Sequence, residues 1–178
     1  MTDMLSKLYA AKAVVRASDE VREPLDVLRA RAEGRRPERR GFRAALAVAN
    51  GPAIVAEIKR ASPSVGLIVP HLDPAAIARE YEQAGADAIS VLTESDHFLG
   101  DLAYVDVARS ASSLPILRKD FLSSSYEVVQ SAAYGADAMV SWTSLPASLA
   151  LAMSFSAVSK RSSVASSGRP RCLTRSAQ

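Results

Sequence analysis

Residues 55–64 read VAEIKRASPS. Val55, Ala56 and Ile58 set up a short apolar run that Glu57, Lys59 and Arg60 interrupt, and Ser62-Pro63-Ser64 then breaks it. Side chains alternate along a strand, so Ala53, Val55, Glu57 and Lys59 share one side while Ile54, Ala56, Ile58 and Arg60 share the other. A carboxylate and an ammonium therefore stack along one face toward the C-terminal end of an otherwise apolar strand. What surrounds that strand decides their meaning.

Downstream, a regular rhythm follows. Asp73-Pro74 predicts a capped helix running to Gln83, with Gly85 as its C-terminal stop. Residues 87–92, DAISVL, form a near-continuous apolar run, the mark of a strand buried on both faces. A helix is predicted over 102–110 and a strand over 114–117. Ser124 and Glu127 have capping-box spacing for a helix that ends before Gly135, and a strand is predicted over 136–140. AGADAISVL and YGADAMVSW match in pattern, with Gly85 and Gly135 opening equivalent units. Upstream, Met4, Leu5, Leu8, Ala11 and Val15 place an amphipathic helix over 3–17. PLDVLRARA predicts a second helix with Pro24 in its first turn, GRRPERR a solvated polar connector, and FRAALAVAN a short third helix.

Strand–helix alternation of this kind means a parallel sheet. An open doubly wound sheet and a (β/α)8 barrel both begin this way. No Gly-x-Gly-x-x-Gly and no Gly-x4-Gly-Lys-Ser/Thr occurs, so the nucleotide fingerprints of the open sheet are missing. Charges at strand ends fit the barrel, whose reacting groups sit at the C-terminal face. The third strand repeats the device of the first, with LRKDF placing Lys119 at its end. Two lysines and a glutamate converging on one mouth can hold an anion and move protons. Periodicity leaves equally open that Glu57, Lys59 and Lys119 reach solvent or pair structurally. Phe98 and Phe121 follow the second and third strands and fit either core or substrate platform; Thr93-Glu94-Ser95-Asp96 and His97 read as loop.

Composition narrows the classes. The 178 residues suffice for one sizeable core. The net charge of +3 comes from the end of the chain: residues 141–178 hold five of the 22 basic residues and none of the 19 acidic ones. Nucleic-acid binding is accordingly not expected. No apolar run approaches a membrane span, and the N-terminus does not read as a secretory signal. A single cysteine, Cys172, excludes an internal disulfide and suits a cytoplasmic setting. With His71 and His97 the sole histidines, a histidine-rich metal site is not expected.

Taken together, EIKRASPSVG (57–66), AREYEQAGADAISVLTE, Phe98-Leu99-Gly100, LPILRKDF and GADA resemble the indole-3-glycerol phosphate synthase family. MLSKLYAAK and GFRAAL are similar to the extra helices that precede the barrel in that family. The resemblance covers about residues 4–140. It implies a TIM barrel, a (β/α)8 fold, here limited to about four β/α units behind a helical extension over 1–50. It also implies a lyase of tryptophan biosynthesis, a phosphorylated small-molecule substrate, and neither cofactor nor metal. By motif, Lys119 is the general acid, Lys59 contacts the phosphate end or assists dehydration, and Glu57 orients the lysines and the substrate. Ser62 and Pro63 line the anthranilate side, with Phe98 and Phe121 as apolar walls. Phosphoribosylanthranilate isomerase, another phosphate-binding barrel, is the alternative enzyme; it lacks the Glu-Ile-Lys-Arg and Ser-Pro-Ser pair.

Past residue 140 the resemblance stops. The family continues with four more strands that carry a glutamate, an asparagine and phosphate-binding Gly/Ser turns. This chain instead has a basic tail with 11 serines in 38 residues, against 13 in the preceding 140. The expectation is an out-of-frame or prematurely ended tail, poorly ordered over 141–178, with an apolar helix over 149–155 and no strand in the last 20 residues. Four strands cannot close an eight-strand barrel. The sheet is then expected to leave two edges and an apolar face open, to self-associate through them, and to show little or no activity alone.

Overall fold

The computed structural model describes residues 4–49, 51–141, 156–159 and 173–176. Three helices come first: α1 (Met4–Arg22), α2 (Leu25–Gly34) and, after a 3-10 turn at Arg36–Glu38, α3 (Phe42–Ala47). Strand β1 (Ile54–Ile58) leads into a small antiparallel hairpin, β2 (Ala61–Ser62) and β3 (Gly66–Leu67). Helix and strand then alternate: α4 (Pro74–Gln83), β4 (Ala88–Leu92), α5 (Ala103–Ala111), β5 (Ile116–Leu122), α6 (Ser125–Ala133) and β6 (Ala138–Ser141).

β1, β4, β5 and β6 lie side by side in that order and are parallel throughout. The expected α/β half barrel is what forms. Two further short strands, β7 (Ser156–Ser159) and β8 (Leu173–Ser176), pair in parallel with β6 and β1 and so lie along both edges. This corrects one expectation: the last 20 residues do contain a strand. The sheet keeps two edges, formed by β7 and β8 rather than by β6 and β1. Backbone N–H and C=O groups on an edge strand offer a template to any extended segment, whatever its side chains. The apolar helix expected over 149–155 lies outside the described residues.

The alternation of each strand assigns its two faces. Ile58, Ile89, Val91 and Ile116 point toward Ala78 of α4 and Val105 and Ala108 of α5. Leu122 and Met139 pack with Leu28 and Ala32 of α2 and the apolar side of α6. On the opposite face, Val55, Ala88, Leu117 and Ala138 are buried beneath Phe42 and Leu46 of α3. The apolar inner face is therefore not open at these positions, which corrects a second expectation. FRAALA covers it because Phe42 and Leu46 are one helical turn apart and meet the sheet together.

Caps and turns follow the sequence closely. Asp73 accepts from the Ala75 and Ala76 amides at the start of α4, and Ser124 and Glu127 complete a reciprocal capping box on α6. Gly85 and Gly135 take φ of 79° and 86°, the left-handed geometry that ends α4 and α6. The repeated Gly-Ala-Asp-Ala has a structural meaning. Asp87 accepts from Ile54 N at 2.7 Å while Asp87 N donates to Ile54 O. Asp137 accepts from Ile116 N at 2.9 Å while Asp137 N donates to Ile116 O. Each aspartate thereby pins the register of its own strand on the preceding one.

Two sequence expectations differ in detail. β5 runs to Leu122, five residues beyond the expected strand, so Lys119 is a mid-strand residue. The arginines of the connector are not all solvated: Arg40 donates to the Ser112, Leu114 and Arg109 carbonyls, and Arg35 pairs with Asp106 at 2.7 Å. Backbone carbonyls are invisible to a charge-pattern reading, which is why these arginines look free in sequence.

Candidate active site at the strand ends

Register brings the charged residues together. Glu57 lies opposite Ser90, and Leu92 opposite Lys119, so the inward side chains of β1 and β5 rise to similar heights across β4. Lys119 Nζ lies 2.5 Å from Glu57 Oε2, and Lys59 Nζ lies 3.4 Å from Glu57 Oε1. Glu57 is buried, whereas Lys119 keeps 46% and Lys59 20% of its side-chain exposure. One carboxylate thus holds two ammonium groups and leaves the cluster with a net positive charge facing the mouth. Such a cluster attracts an anion and offers a proton from either side of it.

Aromatic rings flank the mouth. Phe98 and Phe121 have centroids 6.4 Å apart at an interplanar angle of 42°. Tyr9 of α1 meets Phe121 edge-on, 6.2 Å away at 79°. Its hydroxyl is buried and has no hydrogen-bond partner among the described residues, and burial foremost, then Glu127, pushes it above the ordinary tyrosine range. Ser62 and Pro63 lie on the β2–β3 hairpin directly after Lys59 and Arg60. The Ser62 hydroxyl accepts from Val65 N at 3.3 Å and lies 3.4 Å from that of Ser64. That hairpin is tied to the opposite loop by Ala61 N donating to Phe98 O at 3.1 Å.

The outward side of β5 carries a buried polar network that the sequence reading missed. Asp120 accepts from Lys12 Nζ at 2.6 Å, Thr93 Oγ1 at 2.7 Å and Arg118 at 3.0 Å. Arg118, itself fully buried, also donates to Thr93, Gln130 and Ser131. Burial by itself would raise the Asp120 carboxyl, but Arg118 and Lys12 outweigh it and hold the group down to about 2. Alternation could have assigned Arg118 and Asp120 to the outer face, but no local pattern points to Lys12 or Tyr9. The structure therefore brings Glu57, Lys59 and Lys119 into one cluster and Phe98 and Phe121 into a second beside Tyr9, with Ser62 and Pro63 on an adjoining hairpin.

Parallel strand–helix units with ionisable side chains gathered toward the strand ends place the protein in the α/β class to which the (β/α)8 barrels belong. No helix among the described residues is long and apolar enough to cross a membrane. The family model for indole-3-glycerol phosphate synthase matches residues 5–146, and the chain belongs to that family. Proteins named indole-3-glycerol phosphate synthase are its relatives. That of Dechloromonas aromatica (strain RCB) is 45% identical over 143 residues, 79% of this chain and 54% of the relative. Those of Neisseria meningitidis (strain FAM18) and Roseiflexus castenholzii are 46% and 42% identical over 142 and 146 residues, covering 79% of this chain and 55% and 54% of theirs. The chain spans about half the length of the curated relatives it matches.

Proposed function

We propose that this chain carries the ring-closing half of an indole-3-glycerol phosphate synthase site, acting on 1-(2-carboxyphenylamino)-1-deoxyribulose 5-phosphate. The observation that carries the reading is the pair of ammonium groups on the single buried carboxylate of Glu57. In ring closure the aromatic carbon bearing the carboxylate attacks the ketone, and the ketone oxygen takes a proton as the C–C bond forms. Lys119, the more exposed of the two lysines, donates that proton. Carbon dioxide then leaves with its bonding electrons returning to the ring. The new hydroxyl departs as water, with a proton lost from the neighbouring CH2, giving the indole.

Lys59 serves the phosphate end or protonates the departing hydroxyl. Glu57 holds both lysines in place. Phe98 and Phe121 give apolar walls against which the aryl ring packs in attack geometry, with Ser62 and Pro63 on the anthranilate side. Turnover requires the remainder of the barrel, so the chain alone binds substrate without appreciable conversion.

The test uses the anthranilate fluorescence of the substrate. The full chain is titrated with it, and product formation is followed with and without the C-terminal half of the Dechloromonas relative. Binding by the chain and turnover with both halves support the reading. Absence of both ends it.

A further inference from the structure

The loop after β4 is organised around one carboxylate. Glu94 is buried, and both its oxygens are used. Oε2 accepts from the His97 amide at 2.8 Å and the Phe98 amide at 3.0 Å. Oε1 accepts from the Asp96 amide at 3.1 Å and lies 3.2 Å from His97 Nδ1. The main chain then turns sharply. Leu99 takes φ of 52°, Gly100 N donates to Glu94 O at 2.8 Å, and a Cβ on Gly100 would fall on the Leu92 carbonyl. Three consecutive amides facing one carboxylate leave the peptides from 95 to 98 little freedom. Phe98 gains two fixed orientations from this: its ring stands beside Phe121, and its carbonyl accepts from Ala61 N on the hairpin that follows Lys59 and Arg60.

We propose that Glu94 is a positioning residue for the site. Its carboxylate sets the loop so that the Phe98 ring forms the aryl wall, and through the Phe98 carbonyl it ties the 61–67 hairpin to that wall. Glu94 touches no substrate; it acts through Phe98 and Ala61. The inference rests on the reading of the aryl wall given above, but the hairpin tether can be judged without it.

Glu94→Gln is the informative change. An amide offers one acceptor and one donor, so at one end an N–H must face another N–H. Two measurements are made on the full chain and its variant: amide hydrogen exchange, and affinity for two probes, the substrate itself and ribulose 5-phosphate, which lacks the aryl ring. The expected result is faster exchange at residues 96–98 and also at Ala61. Substrate affinity should fall a few-fold to about tenfold, the scale of one aromatic contact, with ribulose 5-phosphate unchanged. Glu94→Asp keeps the charge but shortens the reach, and gives the same pattern if the Gln variant folds poorly. Phe98→Leu should lose substrate affinity while Ala61 stays protected.

Unchanged exchange at Ala61, or equal loss of both probes, overturns the proposal. If the unmodified chain binds neither probe, the proposed function fails, and exchange at Ala61 alone then decides whether Glu94 holds the hairpin.

Discussion

Lys12 Nζ lies 2.6 Å from Asp120 Oδ2, an ion pair that joins positions 108 residues apart and fastens α1 to the strand bearing Lys119. The carboxylate is fully buried and shared with Arg118 and Thr93. The helix is further held by Arg16 donating to Ser123 and by Gln130 donating to Asp19. Tyr9, one turn before Lys12, is thereby kept against Phe121.

This pair predicts an acid limit. Asp120 titrates at about 2 in the fold against an ordinary 3.8. A depressed carboxyl stabilises fully above its unfolded pKa, and that contribution is lost as pH falls through the folded value. The contribution is on the order of 2 kcal/mol, present above about pH 4 and gone below about pH 2. Urea unfolding followed by circular dichroism between pH 2 and 7 checks it. Asp120→Asn should remove that component and cost about 3–5 kcal/mol at neutral pH, because Arg118 and Lys12 then lose their counter-charge.

The two repeated aspartates should differ in weight. Asp137 binds Arg109 with both oxygens, at 2.9 and 2.8 Å, and accepts from the Arg40 and Ile116 amides as well. Its replacement by alanine strands a buried guanidinium and should cost about 3–5 kcal/mol. Asp87 pins a strand without a buried cation, so Asp87→Ala should cost about 1 kcal/mol. Chemical denaturation of the two variants side by side distinguishes them; equal losses would show that the Arg109 pair adds nothing.

At the candidate site, Lys119→Met should lower turnover of the two-half assembly by about 10²–10⁴-fold, the scale of general acid catalysis. Glu57 is buried but keeps Lys59, so the stability cost should be about 1 kcal/mol. Glu57→Gln should impair both lysines at once, lowering kcat and substrate affinity together. A Lys119→Met variant with full kcat would remove this lysine from the proton donor role.

Gly100→Ala tests close approach of backbone to backbone. The added methyl would meet the Leu92 carbonyl and come within 2.9 Å of the Glu94 carbonyl. Relieving that overlap should cost about 1–3 kcal/mol and displace the loop. Thermal unfolding together with exchange at residues 94–100 measures both effects.

Local signals were enough for the succession of elements. The capping box at Ser124 and Glu127, the Asp73-Pro74 start and the glycines at 85 and 135 are decided within a few residues, so short-range chemistry places them. That Glu57 and Lys119 share the inward side of their strands was also legible from alternation, whereas only the fold decides that they pair directly. The end of β5 was not legible. Arg118, Lys119 and Asp120 look like a strand terminus in sequence, and they continue the strand because Thr93, Gln130, Ser131 and Lys12 satisfy the outward charges.

By itself, then, the sequence determined the parallel strand–helix order and the motifs of the indole-3-glycerol phosphate synthase family, since periodicity, caps and motif spacing act over short distances along the chain. Tertiary structure alone decided which charges are partnered, that α1 reaches over to Asp120, that Arg40 seeks backbone carbonyls, and that Glu94 gathers three amides beneath Phe98. Those outcomes depend on groups brought together from distant segments or on main-chain donors and acceptors. A residue pattern records neither, because every position carries the same backbone and contact between distant positions exists only once the chain has folded.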